Sequence, residues 1–251
     1  MRTVITTPTT FNVNNVTGVD APGAVAWRTI QYAVDTICRD YDFQAQPTIR
    51  LAATGVPYAE AVILRRWVGS LDWCNGVYSY PCIQGDPANP TAVVVRPANG
   101  WAFTGVNCSP WIIDSLSISS PNGGGINSDA YSHILGRSLD FGQVGAGPLC
   151  CQILAQHGAF YEHIATPFTI SGGGWTHAYA HLAGMIKLQS PCTVAINNAP
   201  RFSYFAICDG NSIIDYSGIG YSGGLWGNQY VPVVANTGGF MSPPPSAPPW
   251  P

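Results

Sequence analysis

The feature that most limits the possible folds is a series of short apolar segments that recur at a nearly constant spacing. Two consecutive members begin 23 residues apart, and a later step of 47 residues leaves room for one further coil through residues 160–162. Strand-sized apolar runs with a period in the low twenties predict a β-solenoid, in which each coil stacks on the next around a continuous apolar column. With strands about 4.8 Å apart, seven or eight coils would form a rod of roughly 35 to 40 Å. The members of the series are 93–95, 116–118, 139–141, 186–188 and 205–207.

Glycine-rich segments separate several of these strands, at 121–125, 171–174 and 222–224. Because glycine adopts positive φ angles without steric cost, we expect these segments to form the sharp corners between strands. A glycine-rich loop cradles phosphate when it follows a strand and opens a helix, and none of these segments leads into a helical pattern. The segments therefore predict corners rather than a phosphate site.

One amphipathic helix is predicted between residues 24 and 41, where apolar residues recur at steps of three and four. Around it we expect four regions. Residues 1–22 form an N-terminal arm or first strands for attachment, and 23–47 hold the capping helix. Residues 48–241 form the solenoid body, and 242–251 a proline-rich tail that cannot join a β-ladder. The helical positions are Val25, Ile30, Ala33, Val34, Ile37 and Cys38.

Charge is scarce, since Asp, Glu, Lys and Arg make up 9% of the chain, against roughly 25% in typical domains. Such a surface is expected to be covered by other subunits. A net charge of -3 and a single lysine, Lys187, leave no basic stripe for nucleic acid. We find no signal-peptide pattern and no uninterrupted apolar stretch long enough to span a bilayer, so neither signal-directed export nor membrane insertion is expected.

The eight cysteines include no C-x-x-C pair, so the sequence predicts no zinc site, and no cofactor is predicted. Cys74 and Cys82 flank a turn-rich segment that would bring their Cβ atoms within bonding distance, which makes them the candidate disulfide. The alternative is that most cysteines are small buried apolar residues, as expected for Cys38 on the predicted helix.

Two acidic residues are the candidates for catalysis, although we predict no catalytic residue. Asp140 is expected to point outward between two core residues. If Glu162 also faces outward, stacked coils would place the two carboxylates about 5 Å apart, as in a retaining glycosidase. Aligning Gly158 with Gly184 instead gives Glu162 a core position and Tyr161 the outward one. The competing interpretation is an ion pair with Lys187, solvated or between subunits.

Histidine and tryptophan offer two further kinds of site. The five histidines lie within one fifth of the chain. His177 and His181 have a spacing that suits a metal site on a helix, but their surroundings are strand-like. We therefore expect hydrogen-bonded histidines at coil corners, with three copies around a trimer axis as the alternative. Exposed tryptophans would either stack on sugar rings or lie between subunits. The sequence therefore does not assign binding residues. The histidines are 133, 157, 163, 177 and 181, and the tryptophans 67, 73, 101, 111, 175 and 226.

The segment 26–35, followed by 47–52 and 58–60, resembles the opening of pectate-lyase-like β-helix proteins of phages and prophages. Further similar segments are 83–86 with 89–90, 168–173, and 199–203 leading to 205–206, so the resemblance spans about residues 20 to 235. It implies an all-β fold, a right-handed single-stranded parallel β-helix with an N-terminal capping α-helix. It also implies a homotrimeric virion appendage, carried on head, neck or tail with other virion proteins and assembled in the host cytoplasm.

The function that this resemblance implies is structural, as a fibre, spike or decoration that contacts the host surface. The alternative is a tailspike that binds or depolymerises host surface polysaccharide, but no catalytic motif of the family falls on a position of this chain. A secreted bacterial polysaccharide lyase is disfavoured, because the sequence has neither a signal-peptide pattern nor an acidic calcium-binding cluster.

Overall fold

The computed structural model describes residues 1–70, 73–74, 77–217, 219–223 and 233–242, without the side chains of 73–74, 77–78, 221, 223 and 233. Of the predicted tail at 242–251, only Ser242 belongs to this part of the chain, and its hydroxyl group hydrogen-bonds to Asp215 and Tyr216. One helix and 27 strands are present in it. In chain order they are β1 (Thr3–Ile5), β2 (Thr9–Val13), α1 (Ile30–Asp40), β3 (Tyr41–Phe43), β4 (Pro47–Leu51), β5 (Val62–Leu64), β6 (Val68–Gly69), β7 (Trp73–Cys74), β8 (Val77–Tyr78), β9 (Cys82–Gln84), β10 (Val94–Val95), β11 (Gly100–Val106), β12 (Trp111–Asp114), β13 (Ser117–Ser120), β14 (Gly123–Asp129), β15 (His133–Arg137), β16 (Asp140–Val144), β17 (Cys151–Gln156), β18 (Phe160–His163), β19 (Phe168–Ile170), β20 (Gly174–His181), β21 (Met185–Leu188), β22 (Cys192–Ile196), β23 (Phe202–Cys208), β24 (Ile213–Asp215), β25 (Ile219–Gly223), β26 (Val233–Ala235) and β27 (Phe240–Met241), with a short 3-10 helix at Pro90–Ala92.

The strands form a parallel β-solenoid of about seven turns, as the sequence predicts. The nine-stranded sheet has the order β2-β4-β9-β12-β15-β18-β21-β24-β27, and the seven-stranded sheet β26-β23-β20-β17-β14-β11-β5. The six-stranded sheet has the order β10-β13-β16-β19-β22-β25. Each full coil contributes one strand to each of these sheets, so residues in register form rows along the solenoid axis. A three-stranded sheet, β1-β3-β6, and an antiparallel pair, β7 with β8, complete the described strands.

The coil length varies more than the predicted period allows. In the six-stranded sheet Val94 pairs with Ser117 and Ser117 with Asp140, which gives the predicted step of 23 residues. In the nine-stranded sheet the step is 38 residues from Thr10 to Thr48 and 28 from Ile186 to Ile214. The predicted series also mixed three sheets, since 186–188 belongs to the nine-stranded sheet and 205–207 to the seven-stranded one. The strands of the nine-stranded sheet are all 2 to 5 residues long, so the connections between strands absorb most of the extra residues.

The core is a column of stacked inward side chains, with one residue of each row per coil. In the six-stranded sheet one row contains Val95, Ile118, Phe141, Ile170 and Ile196, all of them buried. Burial of such a row removes apolar surface from water in every coil. Each Å² of apolar surface that is buried stabilises the fold by about 25 cal/mol. Parallel hydrogen bonding then keeps each row in register from one coil to the next.

The first two glycine-rich segments do not form corners by positive φ, contrary to the prediction, while Gly224 of the third lies outside the described residues. Neither 123–125 nor 172–174 has a positive φ angle. These glycines are instead required by close packing of neighbouring coils, because a Cβ on Gly173 would lie 2.0 Å from Arg201 O. Several corners are formed by other residues in the left-handed region, among them Ser115 (φ 54°) and Ser138 (φ 49°), which follow β12 and β15.

Replacing Gly123 by alanine is expected to lower the free energy of unfolding by about 2 to 3 kcal/mol. A Cβ at this position would lie 1.8 Å from Gly100 O in the preceding coil, so the two backbones would have to separate. Gly220 is the matched control, because the nearest atom to its Cβ would be 3.8 Å away. Gly220→Ala should be neutral or slightly stabilising. Urea unfolding of both variants tests this, and equal effects would contradict the close-packing explanation.

The helix α1 begins at residue 30, six residues later than predicted, because the preceding residues are held elsewhere. Trp27 forms a β-bridge with Val13, and Asp20 Oδ1 accepts hydrogen bonds from the backbone of residues 28 and 29. Thr29 then caps the helix by accepting from Tyr32 N. The buried face of α1 packs against β2 to β5, so the helix covers the N-terminal end of the apolar column.

Residues 1–22 contribute the first strands of the solenoid, rather than an arm that extends away from it. β1 pairs with β3 and β2 pairs with β4, both in parallel. Ile5 and Val13 are buried in the main core, which explains why this segment folds onto the body. In the described residues no helix has the length and apolar character needed to cross a membrane.

Candidate functional site

Asp140 and Glu162 lie on different sheets, so the predicted stacking of the two carboxylates is wrong. Asp140 begins β16 in the six-stranded sheet, in register with Ser117 and Thr169. Ser117 Oγ donates to Asp140 Oδ2 at 2.7 Å, and the carboxylate is buried. Asp140 alternates with core residues as predicted, but its neighbours along the axis belong to a sheet that Glu162 does not join.

Glu162 lies in the nine-stranded sheet, in register with Leu135 and Lys187. The glycine-based alignment was wrong by one residue, since Tyr161 is the core residue and pairs with Ile186. No bulge is needed to keep Glu162 out of the core, because the true register already places it opposite Lys187.

The Glu162 carboxylate is only 5% exposed and has polar neighbours. The side-chain amide of Gln189 donates to Oε1, and His133 Nε2 lies 3.5 Å from Oε2. Lys187 is flanked along its row by Glu162 and Asp215. Burial opposes ionisation of Asp215, but hydrogen bonds from Ser217 and Ser242, with the Lys187 charge, keep its pKa below the usual value. Glu162 and Lys187 are therefore neighbours in register within one chain, and an ion pair between them stays a prediction.

The histidines divide into buried and surface groups, and the buried ones were not anticipated. His163 and His177 are fully buried in the column, where burial lowers the pKa of each to about 3. His157 lies at a corner, as predicted, and its Nδ1 is 2.7 Å from Asp129 Oδ1. His181 faces outward on β20 and pairs with Asp209. His177 and His181 are thus on a strand, and the described residues hold no group of three potential metal ligands.

The described cysteines are free thiols and most of them are buried. Burial raises the pKa of Cys38, Cys82 and Cys192 to about 12, so these thiols stay protonated. The interpretation of Cys38 as a buried apolar residue is confirmed. The side chain of Cys74 lies outside the described residues, but its predicted partner Cys82 is a free thiol, so the structure does not support the Cys74–Cys82 bridge.

Four of the six tryptophans expected to be exposed have described side chains, and their positions differ. Trp111 is a core residue with no exposed surface, and its indole N–H donates to Arg65 O at 2.8 Å. Trp67 is half-buried and donates to Pro110 O. Trp101 and Trp175 lie partly exposed on the outside of the seven-stranded sheet. The side chain of Trp73 and the whole of residue 226 are outside the described part.

Trp101 and Trp175 belong to a second apolar cluster, separate from the main core, which we call the outer aromatic face. Its buried members are Cys151, Leu154, Tyr179 and Ile207, with Trp101, Trp175 and Tyr204 packed against them. The strand neighbours of Leu154, Tyr179 and Ile207 belong to the main core, as Ala178 and Ala180 do on either side of Tyr179. This alternation places the cluster on the outer side of the seven-stranded sheet.

The rings of the outer aromatic face are held at defined angles. Trp175 makes edge contacts with Tyr179 and Tyr204, with ring centroids 5.7 and 5.9 Å apart. Trp101 lies across Gly124 of the next coil, where a Cβ would be 2.2 Å from the indole ring. Edge-to-face packing and the glycine beneath Trp101 leave these large rings little freedom to rotate.

A polar row borders this face, two residues further along the same strands. It contains Asp129, Gln156, His181 and Asp209, in successive coils. Tyr179 links the two surfaces by donating to Asp209 Oδ2 at 2.9 Å. Burial and the neighbouring Asp209 raise the pKa of Tyr179 well above its usual value, so its hydroxyl stays a donor.

The sequence analysis named Trp101 and Trp175 as candidates for stacking on sugars, but it did not join them with other residues into one surface. In β20 the alanines face inward and Trp175, Tyr179 and His181 face outward, but His177 breaks the alternation because it is buried in the column. A partly buried ion pair was also missed, because Asp114 and Arg137 come from different coils. Their side chains approach to 2.7 Å on the nine-stranded sheet.

No protein-family model, no curated protein and no solved structure matches this chain.

Proposed function

We propose that this protein is a non-enzymatic structural component of a phage particle, a homotrimeric fibre, spike or decoration on head, neck or tail. The observation that carries the proposal is the uninterrupted nine-stranded parallel sheet, which runs beside an apolar column with the helix α1 over its N-terminal end. A solenoid of this kind is a stiff rod, because every coil is hydrogen-bonded to its neighbours on several sides. Stiffness is what a projecting appendage needs.

The surface supports the association of several copies. Charged residues are few, and several apolar side chains on different parts of the solenoid are exposed, among them Val25, Ile63, Val106 and Phe240. Scattered apolar residues of this kind are tolerated singly but are easily covered when subunits associate. We propose no catalytic pair, since the two carboxylates considered for polysaccharide cleavage lie on different sheets.

The proposal is tested by native mass spectrometry of the purified chain and by immunogold labelling of intact particles with an antibody to the solenoid. The expected results are a trimer at micromolar concentration and label at one fixed position on each particle. A monomer at all concentrations would contradict the proposed trimer. Particles that never carry the label would contradict the proposed structural role, whatever the oligomeric state.

A further inference from the structure

The outer aromatic face and the polar row form one continuous surface along the seven-stranded sheet. The face extends from β11 to β23, which are five successive strands of that sheet. At about 4.8 Å per strand, this is a length of roughly 19 Å along the axis. We propose that this surface binds an uncharged, hydroxyl-rich oligosaccharide that lies along the solenoid axis.

The aromatic part supplies flat apolar surface that remains accessible. Trp101, Trp175 and Tyr204 are partly exposed, whereas the residues beneath them, such as Leu154, are buried. A sugar ring has an apolar face of C–H groups that packs on such rings and releases water from both surfaces. Because the rings are already fixed by their neighbours, little conformational entropy is lost when a ligand binds.

The polar part supplies hydrogen-bonding groups that are held in place yet reach solvent. Side-chain exposure is 20% for Asp129, 30% for His181 and 22% for Asp209. The Asp209 carboxylate is positioned by both Tyr179 and His181, and that of Asp129 by His157. Carboxylates and imidazoles fixed in this way accept from, and donate to, the hydroxyl groups of a sugar.

The charged residues of this surface indicate whether the bound sugar is charged or uncharged. The polar row contains two aspartates, and neither lysine nor arginine is among the residues that form the face and the row. An anionic polysaccharide would bring its carboxylates or sulfates towards Asp129 and Asp209 without a lysine or arginine to balance them. The surface therefore favours an uncharged chain.

A second copy of the protein fits the surface less well. The centre of a subunit interface is typically depleted of charged residues. Packing of another copy over the rings of Trp175 and Tyr179 would also bring apolar surface onto Asp209 and His181, which Tyr179 joins directly. Dehydration of that pair would cost free energy that a sugar, with its own hydroxyl groups, would not impose.

The test measures binding of soluble hexasaccharides to the full chain by isothermal titration calorimetry and tryptophan fluorescence. The probes are cellohexaose, maltohexaose, mannohexaose and N-acetylchitohexaose, with hexagalacturonate as the anionic comparison. At least one uncharged probe is expected to bind, and hexagalacturonate at least tenfold more weakly. Trp175→Ala and Asp209→Asn should each weaken binding at least tenfold, whereas Phe240→Ala, which removes an exposed aromatic ring from the nine-stranded sheet, should leave it unchanged.

Circular dichroism and native mass spectrometry of each variant distinguish the alternatives. Loss of binding in a folded variant with unchanged oligomeric state supports the proposal. Failure of all uncharged probes to bind the folded protein would overturn it. So would dissociation of an oligomer by Trp175→Ala, which would assign the face to contacts between copies and leave the structural role intact.

Discussion

Acidification from pH 7 to pH 5 is expected to lower the free energy of unfolding by about 4 kcal/mol through two buried histidines. His163 and His177 lie inside the column, against the ring of Phe168, at centroid distances of 4.5 and 6.0 Å. Tyr161, Thr166 and the charge of Asp114 face His163, whereas Gln152 and phenylalanine rings surround His177. Among the described residues, no anion contacts either imidazole to stabilise a positive charge.

The direction follows from the pKa values in the two states. Burial lowers the pKa of both histidines from 6.5 to about 3 in the folded protein. Below pH 6.5 the two histidines bind protons in the unfolded chain but not in the folded chain. The free energy of unfolding therefore falls as the pH falls towards 3. Each such proton contributes about 1.4 kcal/mol per pH unit. This stabilisation is fully present only above pH 6.5.

The measurement is urea unfolding between pH 4.5 and 7.5, compared with the double variant His163→Gln/His177→Gln. The variant should lose most of the dependence on pH, while His157→Gln, which changes a half-exposed histidine, should keep it. If the double variant does not fold, NMR titration of the native imidazole protons replaces it. Protonation of both rings near pH 6 in the folded protein would contradict the prediction.

Gln152→Leu is expected to destabilise the protein by about 3 kcal/mol, although it places an apolar residue in an apolar core. The Gln152 side chain has no exposed surface, and its amide group donates to Gly142 O at 2.8 Å and Gly172 O at 2.6 Å. Its oxygen accepts from His177 Nδ1 at 2.7 Å. Leucine would remove all of these bonds and leave the His177 N–H buried without its acceptor.

The control is Ile153→Val at the adjacent core position, for which about 1 kcal/mol is expected. Unfolding of the single variants and of Gln152→Leu/His177→Phe gives a double-mutant cycle. The loss should be less than additive, because the second change removes the N–H that the first leaves unsatisfied. A Gln152→Leu protein that is more stable than the original would contradict the prediction. It would show that burying the Gln152–His177 hydrogen bonds stabilises the fold less than an apolar side chain does.

The fold was predictable because its signal is local and repeated. The apolar residues of the segments 116–118 and 139–141 are core residues at the predicted step. The coil lengths were not predictable, since most of their variation lies in the connections and not in the strands. The glycine segments were misread for a physical reason: a missing Cβ serves either a left-handed corner or a close approach of backbones. Only the neighbouring coil, as at Gly123 and Gly100, decides which.

The candidate site was harder to predict than the fold, because it depends on register between distant coils. A shift of one residue exchanged the roles of Tyr161 and Glu162, and assignment to the wrong sheet placed Asp140 beside Glu162. The aromatic residues came from three different strands, so no short motif contains them. Alternation within β20 does not decide the orientation by itself, since His177 shares the alternate positions of Trp175 and Tyr179 but is buried in the column.

The unequal coils have a mechanical consequence. Tension applied along the axis at the two ends would load the hydrogen bonds between coils one layer at a time, so the rod would lengthen in steps. Coils of 23 residues, as between Ser117 and Asp140, and of 38, as between Thr10 and Thr48, would release roughly 80 and 130 Å of contour length at about 3.4 Å per residue. The extension record of a single molecule would therefore show the order in which its layers detach.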